Sequence, residues 1–193
     1  MKYAKSLLRP GALLALALSS QAMAAGTNLD ITFTAVLRET TCDMQIEGGT
    51  GDNLNNTITI GAAGTTSLAD IAAANDKAAT NFKLKITECP ASLSALKTTV
   101  TGDPSGNTPT QIKNSVAKSS GGADYTGISI ARASAPDALF VINSQTDSER
   151  LVWTPGEINA HEVALVAQLR ETRAGLGTTG AFSATATFNF TYE

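Results

Sequence analysis

The sequence holds one histidine, one tryptophan and two cysteines, and aromatic residues make up only 5% of it. A single histidine, His161, excludes a multi-histidine metal site. Any Ser-His-Asp arrangement would have to be built around that one imidazole, which stands beside Glu162 at the start of an apparent strand. A solvent-facing histidine at a strand edge is the simpler reading. The chain has no nucleophile elbow, no Walker-type loop and no calcium-loop consensus. Asp147, Glu149, Glu157 and Glu162 fall in a turn-rich region, but nothing in their spacing sets two of them for general acid and base work. Trp153 follows Leu151 and Val152 and reads as a core residue rather than a platform for a sugar. No catalytic set assembles, so the chain is expected to be no enzyme and to carry no cofactor and no metal.

Long hydrophobic runs are equally scarce. The opening MKYAKSLLRPGALLALALSSQAMAAG has Lys2, Lys5 and Arg9, then an apolar run over 12–18, then Ala22-Met23-Ala24. The run is far shorter than the ~20 residues that span a bilayer. The order is that of a secretory signal peptide over 1–24, cleaved between Ala24 and Ala25. With the leader removed, the 14 Lys+Arg fall to 11 against 17 Asp+Glu, a formal charge of about −6. Nucleic acid is not an expected partner, because neutralising phosphates needs clustered cations. Residues 25–193 suffice for one domain with a substantial core.

In an exported chain the two cysteines, Cys42 and Cys89, read by default as a disulfide. Closing that loop stabilises the fold by roughly 4 kcal/mol in the chain-entropy account. Two cysteines without nearby histidines make a poor zinc site.

What the sequence has in quantity is alternation with period two, the mark of strands with one buried face. In NLDITFTAVLRETTC the apolar positions are Leu29, Ile31, Phe33, Ala35 and Leu37. In AFSATATFNFTYE they are Phe182, Ala184, Ala186, Phe188, Phe190 and Tyr192, with Ser, Thr or Asn between them. NFKLKITEC alternates through Phe82, Leu84 and Ile86, and a bulge or strand end near Glu88 is needed to turn Cys89 inward. HEVALVAQLRET places Val163, Leu165, Ala167 and Leu169 on one face and more Ala and Val on the other, as a central strand does. TITIG, GISIARA, ALFVINS and ERLVWT are shorter strand candidates. Ser67 followed by Asp70 resembles a capping box, which predicts one or two helical turns over 68–74. The stretch from 100 to 124 is dense in Gly, Pro, Ser and Asn and reads mainly as loops. RAGLGTTG reads as a turn joining the last two long strands in a hairpin. Many short strands in an exported chain argue for an all-β sandwich with little helix. The last strand raises a question, since the sequence offers no following segment to pair with its other edge.

The leader, the alternating strand before the first cysteine (FTAVLRETTC, 33–42), the strand closed by the second (FKLKITEC, 82–89) and the final strand with its Tyr192 (ATATFNFTYE, 184–193) occur in one order across almost the whole chain. In this the sequence resembles the pilin subunits of chaperone–usher fimbriae, of the type 1 and P pilus kind. The resemblance implies an incomplete immunoglobulin-like β-sandwich, completed by a donor strand from a neighbouring subunit. It implies a donor-strand extension over 25–38, whose side chains are Leu29, Ile31, Phe33, Ala35 and Leu37, and a pilin domain over 39–193. Phe182, Phe188, Phe190 and Tyr192 would wall the acceptor groove, and the disulfide would join Cys42 to Cys89. The implied partners are neighbouring fimbrial subunits, a periplasmic chaperone and an outer-membrane usher, with export through the periplasm to a surface fimbrium that serves adhesion. One departure is Ala35, which stands where a donor strand commonly has Gly. Two other readings are a tip adhesin that binds a carbohydrate, and a secreted sandwich whose own N-terminal strand folds back into its groove.

Overall fold

The period-two segments build two antiparallel sheets. The computed structural model describes residues 42–193. The leader with Ala24 and Ala25, and the N-terminal strand with Leu29, Ile31, Phe33, Ala35 and Leu37, lie outside the described residues. In chain order the strands are β1 Asp43–Glu47, β2 Thr50–Gly51, β3 Asn56–Thr57, β4 Ala79–Glu88, β5 Leu96–Thr101, β6 Ile112–Lys113, β7 Thr126–Arg132, β8 Leu151–Val152, β9 Glu162–Glu171 and β10 Thr187–Tyr192. Two short helices, α1 Leu68–Ala72 and α2 Pro155–Ala160, interrupt them. One sheet has the order β1-β4-β9-β7-β6 and the other β10-β5-β8, while β2 and β3 form a separate small ribbon.

The core lies between the two larger sheets. Leu84 and Leu165 of one sheet and Leu96 and Leu151 of the other are fully buried. Phe82, Leu84 and Ile86 turn inward from β4, and Val163, Leu165, Ala167 and Leu169 from β9. β9 is the central strand that its sequence predicts, paired with β4 on one side and β7 on the other. Trp153 is buried beside Thr98, whose hydroxyl accepts its indole N–H at 2.9 Å. A buried indole donor requires such a partner.

The disulfide joins Cys42 to Cys89 with their Cα atoms 4.3 Å apart. Between β1 and β4 the register steps from Asp43 opposite Glu88 to Met44 opposite Ile86, leaving Thr87 as the extra residue of a bulge. This is the change of parity that the sequence requires before Cys89. The first helix also follows its sequence: Ser67 Oγ accepts the Asp70 N–H at 3.0 Å and donates to the Asp70 carboxylate at 2.6 Å.

Four expectations need correction. β9 and β10 are not a hairpin, because β10 crosses to the other sheet and pairs with β5, Phe188 opposite Val100. Alternation fixes which face a strand buries and leaves its partner open. ALFVINS is no strand. Phe140, Val141, Ile142 and Asn143 donate their N–H groups to Ile130, Glu149, Pro109 and Val100 in turn, so four different segments receive them and no ladder forms. Asn143 at φ 65° also leaves the extended region. Of TITIG only Thr57 is paired, as the end of β3. The helix α2 is absent from the strand pattern, although Thr154-Pro155-Gly156-Glu157 signals it: the Thr154 hydroxyl accepts the Glu157 N–H, the Glu157 carboxylate accepts the Thr154 N–H, and Pro155 occupies the first turn.

Candidate functional site

The even residues of the final segment point at the core yet none is fully covered. From 181 to 193 burial alternates without a break, with Phe182, Ala184, Ala186, Phe188, Phe190 and Tyr192 half-buried and every residue between them exposed. The corresponding face of β9 is buried throughout. The difference is a groove of about 780 Å³. Phe182, Ala184, Ala186 and Phe188 form one wall, and Ile46, Ile58 and Ile60 the other. Its floor is Phe82, Ile128, Ile130, Ala167 and Leu169 of the first sheet. Phe188 leans on Phe82 with ring centroids 5.8 Å apart and planes inclined at 52°. At the end of β10 Tyr192 Oη donates to Cys42 O at 3.2 Å and ties that strand to the residue before β1. Burial and the nearby Asp43 carboxylate push the Tyr192 phenol above its ordinary pKa.

The peptide groups of this segment alternate as well. Ala95 and Glu193 exchange N–H···O bonds of 2.9 Å, while on the opposite edge of β5 Leu96 O accepts from Trp153 N–H. Parity persists along an antiparallel ladder. Thr187, Asn189 and Thr191 therefore bond to β5, opposite Thr101, Thr99 and Lys97. The N–H and C=O groups of Phe188, Phe190 and Tyr192 point the other way. Upstream, where no strand partner runs alongside, the odd residues are held by the 114–123 loop. Ser115 N–H donates to Ser183 O, Ala123 N–H to Ala181 O, and the Asn114 side chain bonds both Ala181 O and Ser183 N–H. Gly180, at φ 156°, makes this approach possible, since a Cβ there would run into the Ala123 amide. The even residues from 182 to 192 thus present half-covered apolar side chains and outward peptide groups along one edge. Among the described residues no strand pairs with that edge.

The end of β10 is fastened by charge. Lys97 Nζ reaches Glu193 at 2.8 Å and Asp147 at 3.2 Å, and Arg150 holds Asp147 at 2.6 Å. The bond to Glu193, followed by that to Asp147, raises the Lys97 pKa. The acids considered as a catalytic pair are all committed to structure. Asp147 belongs to this cluster, Glu149 accepts from Ser144, Glu157 pairs with Arg132 and caps α2, and Glu162 pairs with Lys83. His161 is exposed at the end of α2 with φ 58°. Among the described residues no cluster of His, Cys, Asp and Glu is arranged to hold a metal, and no helix is long and apolar enough to cross a membrane.

A model of the fimbrial protein family matches residues 29–193. The chain belongs to the fimbrial protein family. This fimbrial subunit is 32% identical over 171 residues to the fimbrial-like protein YadM of Escherichia coli (strain K12), spanning 86% of this chain and 88% of the relative. Its fold is similar to that of the P pilus rod subunit PapA, with a TM-score of 0.53 at 19% identity, covering 85% of this chain and all of that one. The likeness supports the incomplete immunoglobulin-like sandwich implied by the sequence resemblance. Proteins of this family are structural, and the fimbrial subunit is not an enzyme. It interacts with other fimbrial subunits in a surface fimbrium.

Proposed function

We propose that the groove between β1 and β10 is an acceptor for a strand supplied by a neighbouring subunit, and that this chain supplies the same kind of strand through residues 25–38. In this organisation residues 1–24 are the signal peptide and 39–193 the pilin domain. Leu29, Ile31, Phe33, Ala35 and Leu37 are the donor side chains, and Phe182, Phe188, Phe190 and Tyr192 belong to the receiving wall. The observation that carries the reading is the coincidence on even residues of an outward peptide edge and a half-covered apolar face. An edge of this kind invites strand addition, in which main-chain bonds give affinity and alternate side chains give register.

Completing the burial of four or five apolar side chains is worth roughly 6–15 kcal/mol before ordering costs are subtracted. That is on the scale of the net stability of a domain. The donated strand therefore finishes the fold as well as the contact. Until it arrives, a periplasmic chaperone occupies the groove, and an outer-membrane usher then brings the next subunit. The product is a head-to-tail fimbria that supports adhesion. Burial of Trp153 removes the one tryptophan as a platform for a sugar and weighs against a carbohydrate-binding tip.

Deleting residues 25–38 tests the donor role. The truncated chain is expected to bind the chaperone and to occupy only one end of a fimbria when mixed with the intact chain. Its incorporation at interior positions, seen by labelling and electron microscopy, would overturn the proposal.

A further inference from the structure

The first sheet also ends in an edge strand, β1, and that edge is treated differently. Ile86 N–H donates away from β1, to His161 O, so Lys85 and Lys83 bond to Gln45 and Glu47. By the same parity Met44 and Ile46 turn their peptide groups outward. Ile46, however, is already occupied on both groups. Its N–H donates to Asn53 O at 2.7 Å, and its C=O accepts from the Asn56 side-chain amide at 3.1 Å. The same Asn56 amide donates to Gly48 O at 2.8 Å, and its Oδ1 accepts the Asn53 N–H at 2.9 Å.

The segment carrying these groups is internally braced. Asp52 Oδ1 accepts the N–H groups of Leu54 and Asn55 at 3.0 and 2.6 Å, and Gly49, at φ 70°, lies so close to Thr57 that a Cβ would strike its carbonyl. Leu54 projects into solvent at 66% exposure from the turn so formed. A turn that exposes a leucine while its backbone is folded against a strand edge is arranged around the backbone contact rather than around burial.

We propose that the β2–β3 ribbon, through Asn56 and Asn53, is an edge guard: it closes β1 at Ile46 to strand addition by a second copy of this chain and leaves the β10 edge as the place where a strand docks. Natural sheets commonly block exposed edges to prevent lateral association. The closure stands on the Ile46 contacts alone, while the steering toward β10 rests on the acceptor-groove reading. The specificity-determining residue is Asn56, because its one amide satisfies two carbonyls and an N–H. Loss of it frees Ile46 O and loosens the segment that holds Ile46 N–H.

The test uses the full chain with Asn56→Ala and, as a second variant that keeps the Oδ1 acceptor but sets a carboxylate oxygen against Ile46 O and Gly48 O, Asn56→Asp; Asn55→Ala in the same turn is the control. Each is made with and without Phe33→Asp, which disables the proposed donor strand. Amide exchange at Ile46 is expected to accelerate about fivefold or more in both Asn56 variants and to stay unchanged in the control. Sedimentation is expected to show new lateral dimers in the Asn56 variants whether or not Phe33 is intact. Unchanged Ile46 exchange in a folded Asn56→Asp chain would overturn the guard. So would association confined to chains with Phe33 intact, since that is head-to-tail assembly. Failure of the groove reading alone appears differently, as Phe33→Asp having no effect on head-to-tail polymers while the lateral dimers still form.

Discussion

β9 and β10 each set a row of apolar side chains on an inward face and end in different states. β9 lies between β4 and β7, and its inward side chains, from Val163 to Leu169, are at most 7% exposed. β10 has β5 on one side only, and its inward side chains remain half-covered. Since a strand's own sequence sets only which residues face inward, the completeness of burial is a property of its neighbours. The inward face of β10 is thus a core face that its one neighbour, β5, leaves half-covered.

The largest effect should come from damaging the finished side. Leu165 is fully buried, so Leu165→Ala should cost about 2–5 kcal/mol and shift the urea midpoint sharply. Removing the disulfide by Cys42→Ala with Cys89→Ala should cost about 2–4 kcal/mol, measured against the oxidised chain under the same denaturant. Phe188→Ala should invert the pattern: about 1 kcal/mol in the unoccupied subunit, because the ring is half-buried, but loss of most assembly. If Phe188→Ala destabilises the isolated chain as much as Leu165→Ala does, the two strands are equally complete and the comparison fails.

The smallest effect concerns pH. Burial pushes the Glu157 carboxyl up, but the Arg132 guanidinium and the Thr154 N–H outweigh it, so its pKa in the fold lies below the usual value. A depressed carboxyl contributes stability above its unfolded pKa of about 4.3, and that contribution is lost as pH falls through the folded value. Glu157→Gln should therefore lower stability by up to about 1 kcal/mol at neutral pH and make no difference in strong acid. Denaturation curves at pH 7 and at successively lower pH check the sign.

Periodicity makes much of the fold readable from the sequence alone. The inward faces of β4, β9 and β10, the central position of β9, the parity change near Glu88 and the Ser67 cap all follow from local chemistry. Pairing is not readable where it depends on distant residues: nothing in ATATFNFTYE names β5 as its partner, and nothing in ALFVINS shows that its N–H groups are taken by four separate segments. The groove wall at Phe182, Ala184, Ala186 and Phe188 is legible because it needs only alternation. Its opposite wall is not, since Ile58 and Ile60 reach it from a segment that pairs with neither large sheet. The hold of Asn114 on the 181–183 backbone is equally hidden, because an asparagine in a Gly- and Ser-rich loop carries no signal of its partner.

The central claim is that a strand with the sequence of residues 25–38 completes the β10 edge. It is tested most directly by titrating that peptide into the chain carrying Phe33→Asp and following amide exchange residue by residue. The account predicts that Thr187, Asn189 and Thr191 exchange slowly from the start, and that Phe188, Phe190 and Tyr192 become slow only as peptide is added, with a rise in melting temperature. Phe188, Phe190 and Tyr192 that exchange as fast with saturating peptide as without it would contradict the claim.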